Sequence, residues 1–333
     1  MDLLVNRPHK RIAEDPGCKV DLAEWYNWTT SDVIADFTFS EIFRCLENTS
    51  THEKVKMMFE GVRTFSIFQV LHHYPIVKRL RHLVVFKESM ASRIDYMKWC
   101  RDQAGRRIHM ESTRPDFFTY ILRNPGAEGK TTMSVPEMHS TTQTFLSAGS
   151  ETTATLMSGV TFLLLKYPEC MQRLVEEIRG LFESNEDITI DGVNKATYMI
   201  AVLQEALRVY PPVPTGLPRN APAGGDKHQW TLGARERGFP VTREPQQLAA
   251  SPRRTDKTFT TQTTVYMSQY PANHSSRNFV DPDAFIPDRW LGTDPRFDAD
   301  KKVVVQPFSL GARNCLGKNL AYAEMRLMLV KMV

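Results

Sequence analysis

The sequence has few cysteines, and no two of them are spaced as a pair of zinc ligands. Its five cysteines stand at positions 18, 45, 100, 170 and 315, without a C-x-x-C pair. This scatter suggests neither a zinc site nor a disulfide framework, and it is typical of reduced intracellular thiols. His72, His73 and His274 also lack a partner spacing for a metal, so we interpret them as structural or surface residues.

Long hydrophobic runs and strong charge are also missing. Residues 1–11 lack the apolar stretch of a signal peptide, and nowhere do about 18 apolar residues run together, so we predict no membrane span. The net charge is only +4, and no dense basic run is interleaved with aromatics, which gives nucleic-acid binding little support. With 333 residues, 41% of them hydrophobic, the chain can bury a large core and should fold mostly as one unit.

Helical periodicity is what the sequence does contain. Most of it predicts helices joined by short polar breaks, with few alternating strand patterns, so we predict a mainly α fold. An apolar stripe in residues 21–46 suits the interior of a helical bundle. A long helix is predicted over about 135–167, and another over 196–210 that Pro211 stops.

Residues 226–262 depart from this pattern. They are polar and without periodicity, so we expect that they do not fold. Two hypotheses remain open for this interval: a translated intron, or a natural insertion into a domain that otherwise spans residues 1–333.

One cysteine stands in a distinctive loop before a predicted amphipathic helix over about 316–332. The helix dipole and free backbone N–H groups at this position favour a thiolate at Cys315. Arg313 offers a fork of donors that suits a carboxylate, and Gly311 and Gly317 allow close approach of something flat. A thiolate beside a carboxylate-seeking arginine indicates haem, with iron on the sulfur and a propionate on the guanidinium. An isolated cysteine would otherwise be interpreted as a small buried hydrophobe.

This loop resembles the haem loop of the cytochrome P450 family, Phe-x-x-Gly-x-Arg-x-Cys-x-Gly. Every fixed position is filled, by Phe308, Gly311, Arg313, Cys315 and Gly317. The resemblance implies a helical bundle around haem with small β elements, and Cys315 as the axial ligand of the iron. The family is longer at both ends, so we expect the fold to be incomplete at both termini.

The middle of the long helix carries a second motif of the same family. Ala148-Gly149-Ser150-Glu151-Thr152 matches its pattern Ala/Gly-Gly-x-Asp/Glu-Thr. Glycine and hydroxyl side chains can loosen the local backbone bonds and leave a groove over a cofactor. The resemblance implies that Thr152 holds a water and hydrogen-bonds dioxygen, and that Glu151 relays protons. The alternative is a helix crossing through small residues.

A third motif of the family is a structural brace. Glu205 and Arg208 share one helix face, and by themselves would be a surface salt bridge of little energetic consequence. The resemblance implies instead a buried triad with Arg289 that holds the loop of Cys315.

Residues 211–219 are stiff and extended because of their prolines. The resemblance implies that this stretch runs beside the haem, with Val213 and Thr215 towards substrate and Arg219 towards a propionate. The alternative for Arg219 is a solvent-facing charge. Phe145 and Ala148 on the long helix complete the predicted substrate pocket.

The resemblance implies a monooxygenase that inserts one oxygen atom of O2 into a hydrophobic small molecule. A reductase would supply electrons from NADPH, and we expect a monomer. Short stretches around residues 25–32, 203–212 and 270–279 look like fungal members that hydroxylate secondary metabolites, including the trichothecene hydroxylase group. Full-length members are anchored in the endoplasmic reticulum membrane, whereas we predict no anchor here. Two alternatives stay open: a haem-thiolate isomerase or dehydratase, and a non-catalytic remnant.

Overall fold

A computed structural model of the chain describes residues 1–72, 87–110, 114–123, 133–220, 226–229, 256–259 and 264–333. Helices dominate these ranges, as the periodicity predicts, and the mainly α class is confirmed. The α-helices are α1 (Asp2–Glu14), α2 (Leu22–Phe39), α3 (Cys45–Asn48), α4 (Glu53–His72), α5 (Lys87–His109), α6 (Phe117–Arg123), α7 (Val135–Lys166), α8 (Pro168–Leu181), α9 (Ile190–Val193), α10 (Thr197–Val209), α11 (Gln269–Asn273) and α12 (Lys318–Met332).

The long helix α7 forms the centre of the bundle. Its start is fixed by a capping interaction, in which the Ser134 backbone N–H donates to Glu137 Oε2 at 2.7 Å. It ends at Lys166, because the helical conformation is disfavoured for Tyr167, which precedes a proline. Pro168 then begins α8. The predicted extent of this helix is confirmed, as are those of α10 and α12 to within two residues.

Helix α2 packs along α7 and supplies much of the core. Asp21 caps its start by accepting from the backbone N–H groups of Ala23 and Glu24, at 3.0 and 3.4 Å. The two helices approach closely enough for the Thr30 hydroxyl to donate to the Ser150 carbonyl at 2.7 Å. The main hydrophobic cluster continues from this contact through α8, α10 and the buried face of α12.

Two short antiparallel strand pairs interrupt the helical pattern. Strand β1 (Arg219–Asn220) pairs with β4 (Thr264–Val265), and β2 (Asp226–Gln229) pairs with β3 (Asp256–Phe259). The interval that we expect to be unfolded, residues 226–262, therefore has paired strands near both of its ends. Its middle lies outside the described residues, so the expectation for that part stays a prediction.

The stretch between α11 and α12 contains short 3-10 turns instead of longer helices. They are Pro287–Trp290, Pro295–Phe297, Lys302–Val304 and Gly311–Arg313. Over the ranges described, none of the helices combines the length and the apolar character needed to cross a bilayer.

Candidate functional site

The Cys315 loop is closed by backbone hydrogen bonds. The Cys315 N–H donates to the Phe308 carbonyl at 2.8 Å, and the Asn314 N–H donates to the Gly311 carbonyl at 3.1 Å. Gly311 has a φ of +76°, a region that residues with a Cβ rarely adopt. The loop thus presents Cys315 just before the first turn of α12, as the sequence predicts.

The surface around this cysteine is open and includes two exposed leucines. Leu310 is 67% exposed and Leu316 is 84% exposed, and the Cys315 side chain is exposed with them. Phe308 is anchored beneath the loop by its contact with Tyr322 on α12, at 5.1 Å between ring centroids. A thiol flanked by uncovered leucines suits a flat apolar group that covers this face.

Arg313 and Arg219 are the basic side chains predicted to hold carboxylates. Both are exposed, and the Arg219 guanidinium donates to the Pro218 carbonyl at 3.0 Å. Among the described residues, neither arginine is paired with an aspartate or glutamate. Haem fits this set of groups, which comprises a thiol, exposed leucines and a guanidinium two residues from the thiol. The iron of haem binds a thiolate, and its propionates bind arginine.

Helix α7 is continuous through its glycine and hydroxyl motif. The Ser150 and Thr152 hydroxyls donate to the Leu146 and Ala148 carbonyls, each at 2.8 Å, and add to the helical pattern without interrupting it. A Cβ on Gly149 would lie 2.6 Å from Ile34 Cγ1 of α2. Gly149 therefore permits the close α2–α7 crossing, which was the alternative interpretation, and its contact with a cofactor stays a prediction.

Glu151 and Thr152 lie on the same turn of α7 and are both partly exposed. Burial raises the pKa of Glu151 above its ordinary value. A carboxyl of this kind can hold and release a proton closer to neutral pH than a free glutamate can.

Glu205, Arg208 and Arg289 form a fully buried cluster, each with 0% exposure. Arg208 makes two bonds to Glu205, from Nε at 2.9 Å and from Nη2 at 2.8 Å, and Arg289 Nε donates to Glu205 Oε1 at 3.3 Å. Burial excludes the alternative of a surface salt bridge. Arg208 also donates to the carbonyls of Pro282 and Ala284, so the cluster ties α10 to the loop ahead of Arg289.

Two members of this cluster escaped the sequence analysis. The Trp290 indole donates to Glu205 Oε2 at 2.8 Å, and Asp300 pairs with Arg289 in an ion pair that is almost completely buried. Glu205 and Asp300 together balance the charges of the two arginines. Asp300 lies in a polar stretch with no periodicity, so the sequence offered no signal for it.

The predicted pocket residues do not all share one environment. Ala148, Val213 and Thr215 are exposed, whereas the Phe145 ring packs edge-to-face on Phe117 of α6, with centroids 5.0 Å apart. Phe117 in turn stacks on Phe37 of α2 at 5.7 Å. Phe145 thus has an aromatic packing role, and its place in a substrate pocket stays a prediction.

Comparison with known proteins agrees with this geometry. The sequence model of the family described as Cytochrome P450 matches residues 1–225 and 253–333. The chain is 42% identical over 338 residues to the cytochrome P450 monooxygenase traB of Penicillium crustosum, covering 100% of this chain and 60% of the relative. It is 37% identical over 334 residues to the averantin hydroxylase of Dothistroma septosporum, covering 100% of this chain and 57% of that protein.

The fold also matches a solved structure. The crystal structure of the cytochrome P450DA heme domain superposes with a TM-score of 0.73 at 19% identity, covering 99% of this chain and 63% of the other. The chain spans about three fifths of the length of the curated relatives that it matches. With its Cys315 loop, its α7 motif and a family match that spans most of its length, the chain belongs to the cytochrome P450 family.

Proposed function

We propose that this chain is the haem-binding part of a monooxygenase that oxidises a hydrophobic small molecule. The observation that carries the proposal is the Cys315 loop, which presents an exposed thiol between exposed leucines. The neighbouring Arg313 has no carboxylate partner within the ranges that the structure describes. Haem is the cofactor of this family. When bound, it supplies an iron centre that activates O2, and a thiolate ligand favours cleavage of the O–O bond.

The chain's own residues would hold the cofactor and manage protons. Cys315 binds the iron, Arg313 and Arg219 bind the propionates, and Gly311 turns the loop so that the cofactor face stays clear. Thr152 positions a water. Burial raises the pKa of Glu151, and this carboxyl holds the proton that the water passes on. The buried Glu205 cluster keeps the segment before Cys315 in register with α10.

The relatives and the uncovered face support the proposed substrate class. Several relatives carry monooxygenase names, and one is named a hydroxylase, which supports hydroxylation of a fungal secondary metabolite. Electrons would come from NADPH through a cytochrome reductase, and O2 is the co-substrate. We propose that the protein is a monomer, and that full-length members of the family act at the endoplasmic reticulum membrane.

The isomerase or dehydratase alternative uses no O2. Its members usually lack the acid and threonine pair of the monooxygenases, whereas Glu151 and Thr152 are both present on α7. This pair favours the monooxygenase.

We also propose that the interval predicted over residues 226–262 includes an insertion. The family match omits residues 226–252, and this segment is polar and without periodicity. The transcript tests whether these codons belong to the mature message. Their absence from it would identify an intron that was translated in error, and their presence would exclude that error.

The ligand assignment is tested by spectroscopy on the chain reconstituted with haem. Reduced protein under carbon monoxide should show the long-wavelength Soret band of thiolate ligation. Cys315→Ser should lose this band, whereas the control Cys18→Ser should keep it, because Cys18 lies in the turn after α1. A histidine-type spectrum in the unsubstituted chain, or an unchanged band in Cys315→Ser, would overturn the assignment.

A further inference from the structure

The short helix α11 has no place in the function proposed so far. It consists of Gln269–Asn273, and an isolated helix of this length is not stable in water. Contacts with other segments must therefore hold it. Ala272 and Asn273 are buried, and His274, which follows the helix, has a side chain that is only 13% exposed.

His274 binds the end of α10. Its Nε2 lies 2.9 Å from the backbone carbonyl of Val209, the last residue of that helix, and a carbonyl can only accept, so Nε2 donates. The last carbonyls of a helix have no partner within it, and this contact supplies one. The ring is fixed on two further sides, since Nδ1 lies 2.7 Å from Asp283 Oδ1 and the Tyr270 ring stacks on it with centroids 4.2 Å apart.

Asn273 binds the residue before Val209. Its Nδ2 donates to the Arg208 carbonyl at 3.0 Å, and Arg208 Nη1 donates back to the Asn273 carbonyl at 2.9 Å. Two consecutive side chains therefore bind the last two carbonyls of α10. Pro211 stops that helix, because it has no N–H and its ring excludes a further helical turn. The chain thus leaves α10 in a direction that Asn273 and His274 fix.

The start of α11 holds the middle of the stretch 211–219. The Tyr270 N–H donates to the Pro214 carbonyl at 3.0 Å. Val213 and Thr215, on either side of Pro214, are exposed, so burial of their side chains does not hold this part of the chain. The backbone bond from Tyr270 does so instead.

The same helix also holds the segment that leads into the cysteine loop. Gln269 Oε1 accepts from the Gln306 N–H at 2.9 Å. Gln306 lies two residues before Phe308, whose carbonyl accepts from the Cys315 N–H. Residues 269–274 therefore bind the end of α10, the stretch that follows it and the approach to Cys315.

We propose that His274 is a positioning residue, which acts with α11 to set the place of the stretch 211–219 relative to the Cys315 loop. Val213 and Thr215 on this stretch are proposed to face the substrate. His274 therefore acts on the substrate pocket only through the backbone that carries these two side chains. This consequence for the pocket rests on the proposed function, whereas the links between the segments do not.

Electron paramagnetic resonance on the haem-free full chain measures the distance between the stretch and the loop. One spin label is attached to the exposed thiol of Cys315 and a second to Thr215→Cys, in a Cys18→Ser background. The remaining cysteines are buried and stay unlabelled, namely Cys45, Cys100 and Cys170. The label pair should give one narrow distance distribution.

His274→Phe keeps a ring against Tyr270 but removes both nitrogens. It should raise the fraction of molecules with a displaced stretch about fivefold, the effect of one lost hydrogen bond. His274→Gln should restore the narrow distribution, because its amide can still donate to Val209, and a role in filling space alone would show no such rescue. The control His9→Phe, at an exposed position on α1, should leave the distribution unchanged. An unchanged distribution in His274→Phe, or equal distributions in His274→Gln and His274→Phe, would overturn the proposal.

A second pair of variants decides the question if His274→Phe fails to fold. Gln269→Leu removes the oxygen that accepts from Gln306, whereas Gln269→Glu keeps one. The leucine variant should broaden the distance distribution, and the glutamate variant should not. Equal distributions in these two variants would overturn the proposal.

Haem-reconstituted chains test the consequence for the pocket. Imidazole and the larger 4-phenylimidazole both bind a haem iron through nitrogen, but only the second places a phenyl ring against the pocket wall. In His274→Phe the affinity for 4-phenylimidazole should fall about fivefold, while the affinity for imidazole and the thiolate-type carbon monoxide band stay unchanged. If both affinities change by the same factor, a role in the pocket is excluded. If the unsubstituted chain binds no haem, the proposed function fails, while the distances still decide this inference.

Discussion

Trp290 and Arg208 share one oxygen of Glu205. The Trp290 indole N–H and Arg208 Nε donate to Glu205 Oε2 at 2.8 and 2.9 Å. The other oxygen accepts from Arg208 Nη2, Arg289 and the Ile286 backbone N–H. A single carboxylate therefore connects α10 to two consecutive residues of the loop at Arg289.

Glu205→Ala should be severely destabilised, because it leaves two buried arginines and an indole short of an acceptor. We expect a loss of about 3–5 kcal/mol in the free energy of unfolding, and haem-free or aggregated protein. Denaturant titration and haem content measure the effect, with Glu169→Ala as the exposed control. Recovery of Glu205→Ala with full haem content and an unchanged midpoint would contradict the brace.

Asp300→Asn tests the second acid of the same cluster. Asp300 accepts from Arg289 and from the Val280 backbone N–H, the latter at 2.8 Å. Asparagine keeps the shape but removes the charge, so we expect a loss of about 1.5–3 kcal/mol in stability. A double-mutant cycle with Glu205→Gln should show a coupling energy above about 0.5 kcal/mol, since both acids contact Arg289. Asp298→Asn, at an exposed position, should be neutral, and strictly additive effects in the cycle would argue against a shared network.

Gly216→Ala should disturb the extended stretch before β1. An added Cβ would overlap the Met267 backbone, which cannot move aside as a flexible side chain would. Either residues 211–219 or the segment after β4 must shift, so we expect a clear loss of stability. In the control Gly105→Ala, the new methyl on α5 meets open space, and stability should be equal or higher by about 0.5–1 kcal/mol. Equal thermal midpoints for the two variants would show that this close approach is unimportant.

The ionisation of Asp116 makes the stability of the fold depend on pH in acid. Burial alone would raise the pKa of its carboxyl, but the bonds from Arg107, at 2.5 and 2.8 Å, and from Ser40 and Thr119 outweigh this, and the pKa is lowered. The lowered pKa stabilises the fold above pH 3.8, and this contribution is lost as pH falls through the folded-state value.

Asp116→Asn should therefore be destabilised at neutral pH by roughly 3–5 kcal/mol, and its disadvantage should shrink in acid. Denaturation midpoints between about pH 3 and about pH 7 measure this, with the exposed Asp102→Asn as the control. A disadvantage that does not change with pH would exclude the ion pair as its cause.

Much of the site was predictable because its signals are local in sequence. The loop from Phe308 to Gly317 and the pair of Glu205 and Arg208 are each defined within about ten residues, and helical periodicity gave α7 its extent. The remaining contacts join residues far apart in the chain. Nothing near Gly149 in the sequence indicates that Ile34 of α2 packs against it, and nothing near Arg289 indicates its ion pair with Asp300.

The pairing of β1 with β4 has a consequence for how this protein can change over evolution. These strands bring Asn220 and Thr264 together, so that the residues between them form a closed loop. The entropic free-energy cost of closing such a loop grows only with the logarithm of its length, by about 0.6 kcal/mol for each doubling. Codons can therefore be gained or lost between these two strands at little cost to the fold, while the chain returns to the same position ahead of the residues that hold Cys315.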